Sequence, residues 1–168
     1  AAWMPQPADQ DFSLAVNVSA RSFHHPRFVT DVLEIVERTG ADPNRLDLEL
    51  TESVLIGDLE AARVNMQALR PHGVRFSLDD FGTGYSSLSY LKNLPLDQLK
   101  IDQAFVRELL DDDSDAGIVH AIIAIARTLG LDVLAEGVET EAVRDELARL
   151  GCSRFQGCLF GRPIPSDA

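Results

Sequence analysis

The sequence predicts an α/β fold: a parallel sheet of about six strands curled into an incomplete TIM-like (β/α) barrel, against the eight strands of a closed one. Three observations carry that expectation. Runs with a two-residue apolar period alternate along the chain with runs of helical period, the order expected of βα units. The strand candidates repeatedly place a polar group on the parity opposite the apolar one, at Asn17, Glu49, Asp79 and Lys100. A doubly wound sheet would bury both strand faces in apolar contact, so these groups ask for the concave, solvated interior that a barrel has at the C-terminal ends of its strands. Finally, 168 residues with 45% apolar content make one domain with ample core, yet fall roughly two βα units short of a whole barrel of about 250 residues.

Leu14, Val16 and Val18 alternate with Ala15, Asn17 and Ser19, as in a strand with one apolar face. Val29, Val32, Leu33 and Val36 recur at helical spacing, and Gly40 with Asp42-Pro43 supplies the stop. Leu46, Leu48 and Leu50, interleaved with Asp47, Glu49 and Thr51, predict the second strand. Leu59, Ala62, Met66 and Leu69 form the next helical stripe, closed around Pro71-His72-Gly73. A third strand is expected from Arg75 to Asp79, then a Gly-rich turn and a short helix from Ser86 to Leu94, halted by Pro95. The fourth strand spans Gln98 to Asp102, with Leu99 and Ile101 on one face and Lys100 on the other. The acidic run Asp111-Asp112-Asp113 leads into a helix marked by Ile118, Ile122, Ile125 and Leu129 and ending near Gly130. Val133 and Leu134 open a fifth strand that reaches Glu136, Val143, Leu147 and Leu150 mark a last helix, and a short strand lies near Phe155. Gly161, Pro163 and Pro165 predict an irregular tail, and no linker divides the chain.

Fifteen basic residues against twenty-seven acidic ones give a formal charge of -12. The mean field repels phosphate, which argues against a surface for DNA or RNA duplexes or for phospholipid. A phosphate ligand would need local cations, and the plain alternative is charge that serves solubility. Cys152 and Cys158 have no partner pair and no His at finger-like spacing, so both read as reduced and structural. The opening Ala1-Ala2-Trp3-Met4-Pro5 lacks the basic run and apolar core of a secretory signal. The most apolar later run, Ile118 to Leu129, carries Arg127 and falls short of the roughly 20 residues that cross a bilayer. The expectation is a cytoplasmic fragment, of a parent chain that could be membrane-anchored elsewhere.

Glu49, Glu52, Asp79, Asp80, Glu136 and Glu139 fall near predicted strand ends, with Asn17 and Lys100 close by. Carboxylates gathered at one rim repel one another unless protons, cations or ordered partners offset the charge. Divalent metal is the simplest solution. Oxygen donors suit magnesium or manganese, and two such ions can activate water and stabilise the leaving oxygen in phosphodiester hydrolysis. The structural alternative for any one carboxylate is a place beside a helix N-terminus. For Lys100 it is a salt bridge with Asp102 or Glu136, and for Gln156 an ordinary polar strand end. Arg21, just past the first strand, either meets a phosphate or is a surface arginine. His24, His25, His72 and His120 share no spacing and read as exposed or helix-terminal residues.

The segment Asp79-Asp80-Phe81-Gly82-Thr83-Gly84-Tyr85-Ser86-Ser87 resembles the metal-binding strand end and mobile loop of EAL-domain cyclic-di-GMP phosphodiesterases. In the family's order stand also Asn17-Val18-Ser19, Glu49-Leu50-Thr51-Glu52-Ser53, Leu99-Lys100-Ile101-Asp102 and Ala135-Glu136-Gly137-Val138-Glu139-Thr140, then Gln156-Gly157 and Leu159-Phe160-Gly161-Arg162-Pro163. The resemblance implies the EAL version of the barrel and a two-metal hydrolysis of cyclic-di-GMP to linear pGpG with Mg2+ or Mn2+. It implies that Asn17, Glu49 and Asp79 coordinate metal, Asp79 bridging two ions, that Asp80 completes the second ion's surroundings, and that Glu136 binds metal or orients its water. Lys100 resembles the catalytic lysine that positions and polarises the attacking water. Glu52 resembles the anchor of the Gly82-to-Ser87 loop, while Asp102, Glu139 and Gln156 match supporting or substrate-side positions, Gln156 offering an amide to a guanine edge.

The same resemblance places a Glu-Ala-Leu segment, carrying a further metal-ligating Glu, ahead of Asn17, where residues 1 to 13 hold only Asp9 and Asp11. Residues 1–168 therefore read as a partial EAL domain without its first two strands and helices, weak or inactive by itself. Open sheet edges would follow, and with them a homodimer through the exposed edge. An upstream sensory domain or a neighbouring diguanylate cyclase (GGDEF) domain belongs to the parent. Two other kinds of function stay open: a cyclic-di-GMP receptor without catalysis that signals through a partner, and an assembly scaffold with a remnant acidic rim.

Overall fold

Alternating apolar residues give the chain its strands, and a computed structural model describes how they assemble over residues 13–56, 58–82 and 91–162. β1 (Leu14–Asn17), β2 (Leu46–Thr51), β3 (Arg75–Phe81), β4 (Gln98–Ile101), β5 (Asp132–Ala135) and β6 (Arg154–Phe155) form one parallel sheet in the order β1-β2-β3-β4-β5-β6. That order has no point where the winding reverses, unlike a doubly wound sheet, so the connecting helices cover one face and the other is left as an interior. The sheet is an open, curled half-barrel.

Helices among the described residues include α1 (Ala20–Phe23), α2 (Phe28–Thr39), α3 (Glu52–Ile56), α4 (Leu59–Leu69), α5 (Gln103–Arg107), α6 (Asp113–Leu129) and α7 (Glu141–Leu150). Their ends follow local chemistry. Asp112 accepts from the backbone N–H groups of Ser114 and Asp115, and Thr140 from that of Val143, each satisfying donors that a helix start leaves free. α2 and α6 stop at Gly40 and Gly130, both left-handed, where a side chain would be strained.

The core lies between sheet and helices. Leu48, Leu50, Phe76, Leu78, Leu99 and Ile101 supply the sheet's side, and Ala62, Met66, Leu69, Val119, Ile122, Ala126 and Leu147 come from α4, α6 and α7. Each large member contributes roughly 1.5–3 kcal/mol of burial. β1 is left at an edge with Leu14 and Val16 exposed.

The structure departs from the sequence expectations in several places. β3 runs two residues beyond Asp79, and β4 stops at Ile101 because Asp102 turns to cap α5, accepting from Ala104 N at 2.7 Å. β5 starts at Asp132 and ends before Glu136, although Glu136 N still donates to Ile101 O. The short helices α1, α3 and α5 were too brief for a periodic signal. Cys152 is buried, but Cys158 is exposed, so the structural reading holds for the first alone. Asp9 and Asp11, the Thr83-to-Ser87 stretch, most of the helix expected up to Leu94, and the tail from Pro163 lie outside the described residues. Among the described residues no helix is long and apolar enough to cross a membrane.

Candidate active site

Among the described residues, five polar or charged side chains are buried: Glu49, Ser77, Asp79, Gln98 and Lys100. All project from β2, β3 and β4 with the parity opposite to the core leucines, so they share the interior face. Lys100 sits at the centre. Its Nζ lies 2.8 Å from Glu49 Oε1, 3.1 Å from Asp79 Oδ1 and 2.6 Å from Glu136 Oε1, which engages all three ammonium protons. Burial is the largest single influence on Lys100 and pulls its pKa down. The hydrogen bonds from Glu136 and Glu49 and the charges of Glu136 and Asp79 together outweigh it and hold the lysine above its ordinary range. Glu136 is nonetheless pushed up, first by burial and then by the charges of Asp79 and Glu49, against the pull of Lys100.

Asp79 and Asp80 are sequence neighbours, which on a regular strand would face opposite ways. The pairing of β3 with β4 resolves this: Leu78 aligns with Leu99 and Phe81 with Ile101, an extra residue on β3. Asp80 takes φ 54, left-handed for a non-glycine residue, a conformation Asp adopts more readily than most. Through this bulge Asp79, Asp80 and Glu136 each bring one carboxylate oxygen within 4.8 Å of the others. Burial, a hydrogen bond with Asp102 and the charges of Asp79, Asp102 and Glu136 push Asp80 up to about 6. With Glu49, four carboxylates gather at this rim, and three of them, Glu49, Asp79 and Glu136, share the one ammonium of Lys100. Such a rim has a standing deficit of positive charge, and its hard oxygen donors match a divalent cation of the magnesium or manganese kind.

Glu52, at the start of α3, accepts from Gly82 N at 3.1 Å and so holds the point where β3 leaves the sheet. Asn17 ends β1 in register with Glu49, which sets the two side chains next to each other on the same face.

Beyond Glu136 the rim opens into a cavity of about 710 Å³ lined by residues that include Arg107, Glu136, Glu139, Gln156 and Phe160. Arg107 of α5 pairs with Glu139 at 3.5 Å, both half exposed. Phe155 and Phe160 stack with ring centres 6.2 Å apart. Gln156 is fixed by its backbone, its N donating to Ala135 O at 2.8 Å and its O accepting from Val138 N at 3.0 Å, while its side chain stays exposed. Gly157 lies so close beneath that a Cβ would sit 2.2 Å from Val138 O.

The structure thus gathers Glu49, Asp79, Asp80, Lys100, Glu136 and Asp102 at one mouth, with Asn17 beside them and Glu139 and Gln156 on the cavity wall. Arg21 stands exposed on α1. Of the two salt-bridge partners the sequence offered for Lys100, Glu136 holds and Asp102 does not: the ion-pair contacts of Lys100 are Glu49, Asp79 and Glu136. Asp102 faces Asp80 instead, because α5 begins at that residue. Sequence reasoning missed Asp47, Ser77, Gln98 and Arg107. For the first three the signal was present, since each stands two residues before a chosen site residue. Phe160 stood in a quoted motif without a role, and it and Arg107 reach the cavity through tertiary packing.

Comparison with known proteins points one way. The EAL domain model matches residues 1–163. The bifunctional diguanylate cyclase/cyclic di-GMP phosphodiesterase MucR of Pseudomonas aeruginosa is 50% identical over 157 residues, 94% of this chain and 23% of that protein. The structure of the MucR phosphodiesterase in complex with c-di-GMP superposes with TM-score 0.89 at 50% identity, covering 94% of this chain and 64% of that one. The Klebsiella pneumoniae BlrP1 manganese/cy-diGMP complex at pH 9.0 gives TM-score 0.83 at 34% identity over 92% of this chain and 40% of that one. The chain spans about a quarter of the length of the curated relatives it matches.

Proposed function

The chain belongs to the EAL domain family, and on that premise we propose that its parent protein hydrolyses cyclic-di-GMP to linear pGpG at the rim formed by β2 to β5. The observation that carries the reading is the convergence of Asp79, Asp80 and Glu136 within 4.8 Å, beside a lysine already shared by three carboxylates. Repulsion of that strength fits bound cations. Asn17, Glu49, Asp79, Asp80 and Glu136 would hold them, two per site. Mg2+ or Mn2+ there would supply Lewis acidity toward the phosphodiester and toward water.

The chain's own residues do the rest. Water attacks phosphorus, the P–O3′ bond breaks, and the 3′ oxygen leaves with a proton, giving one 5′-phosphate and one 3′-hydroxyl. Lys100, immobilised by its ion pairs, positions and polarises that water and carries positive charge where phosphate charge develops. Glu52 keeps Gly82 in place at the end of β3. The cavity wall of Glu139 and Gln156 offers donors and acceptors to a guanine base, Asp102 supports Asp80, and the exposed Arg21 would meet a phosphate of the substrate. A homodimer, and a sensory or GGDEF domain elsewhere in the parent, complete the proposal; MucR carries both enzyme names.

The test is chromatography of cyclic-di-GMP incubated with the parent protein in Mg2+, Mn2+ or EDTA. Formation of pGpG with either cation and none in EDTA is the expected result. Binding without hydrolysis assigns a receptor instead, and neither binding nor hydrolysis rejects the nucleotide altogether.

A further inference from the structure

Asp47, Ser77 and Gln98 each stand two residues before Glu49, Asp79 and Lys100 on their own strands, so they form a tier directly beneath the ion-paired one, about 6.6 Å further down the sheet. Ser77 Oγ lies 2.8 Å from both carboxylate oxygens of Asp47 and 3.3 Å from Gln98 Oε1. Its single proton is donated to Asp47. Ser77 has no exposed surface, Gln98 almost none, and Asp47 is half-buried. Side-chain contacts therefore join β2, β3 and β4 at the level just below Lys100.

A desolvated carboxylate bonded to a neutral hydroxyl is a costly strand tie. An asparagine of the same shape would accept the same bond with no charge to desolvate. The charge has a use one tier up. The three carboxylates touching Lys100 are Glu49, Asp79 and Glu136, and all three belong to the proposed cation set. Carboxylates engaged by bound cations would have less to give the lysine. Asp47 is held by Ser77 a tier away from the rim and stays.

We infer that Asp47 is a positioning residue for Lys100: through Ser77 it fixes the spacing of β2, β3 and β4, and its charge holds the lysine from below when the rim carboxylates are engaged. The inference rests on the hydrolysis proposed above. Steady-state hydrolysis of cyclic-di-GMP by the parent protein, with melting temperatures alongside, tests it on Asp47→Asn, Asp47→Glu and Ser77→Ala. Asp47→Asn keeps the acceptor and removes the charge, so kcat falls about tenfold, equivalent to ~1.4 kcal/mol, while KM stays within about twofold and the melting temperature does not drop. Asp47→Glu restores the charge and recovers part of kcat, and Ser77→Ala lies between Asp47→Asn and wild type. An active wild type whose Asp47→Asn variant keeps its kcat overturns this inference alone. So does a parallel loss of kcat, KM and melting temperature that Asp47→Glu fails to rescue, which marks a structural tie only. A wild type without hydrolysis removes the proposed function and this inference together.

Discussion

Replacing Lys100 by Met keeps the length of the side chain and deletes the ammonium. In the folded protein that nitrogen is 4% exposed with its side chain and stands 2.6–3.1 Å from Glu49, Asp79 and Glu136, themselves 10%, 13% and 20% exposed. Removing one partner of a buried ion pair costs about 3–5 kcal/mol, because an uncompensated charge stays behind. Here one cation serves three anions, so a loss of about 4 kcal/mol is expected without added metal. The sign with pH follows from linkage. Lys100 is held above its ordinary value, so its contribution is fully present near neutrality and disappears only at strongly alkaline pH. In the variant Glu136, already pushed up by burial and by the charges of Asp79 and Glu49, loses the lysine that opposed that rise. The defect is then largest at high pH and shrinks as acid protonates Glu136. Urea unfolding of wild type and Lys100→Met in EDTA at about pH 8 and about pH 5.5, repeated with Mg2+, measures all three effects. We expect about 4 kcal/mol at the higher pH, a drop of ~8–16 °C in melting temperature at 2–4 °C per kcal/mol, less than about half of it at the lower pH, and partial recovery with cation. A defect below about 1 kcal/mol at the higher pH, or one that ignores pH, would refute the claim that the lysine neutralises this rim.

Asp80→Asn removes a carboxyl pushed up to about 6 while keeping a residue type that tolerates φ 54. In the wild type the folded state takes up this proton before the unfolded one, so stability falls as pH rises from about 4 to 6; the variant flattens that slope in EDTA and loses Mg2+ stabilisation, both read by thermal melts across pH. An unchanged slope would place the titration elsewhere. Gly157→Ala puts a methyl 2.2 Å from Val138 O and 2.4 Å from Val138 N, both backbone atoms that cannot swing aside. A loss of about 1–3 kcal/mol should come with a raised KM, because Gln156 precedes Gly157 and Glu139 follows the Val138 it would push against; urea unfolding and steady-state kinetics report the two halves.

Much of the fold was legible because strand and helix periods are local. Leu46-Asp47-Leu48-Glu49-Leu50 states in five residues that one face is apolar and the other polar, and a polar face inside a βα chain already implies a concave interior. Gly40 and Gly130 announced helix ends for an equally local reason. Residues of the rim were found for the same cause: Glu49, Asp79, Lys100 and Glu136 break the apolar pattern at strand ends.

What the chain alone determined, then, was which side chains face inward and in what order the units follow, since both depend on periods of two and 3.6 residues. Tertiary structure decided who meets whom. Whether Lys100 pairs with Asp102 or with Glu49, Asp79 and Glu136 depends on inter-strand register and on where α5 begins, and that Asp79 and Asp80 serve one rim depends on a bulge against β4. Register and bulges are set by packing between segments tens of residues apart, and no local period records them.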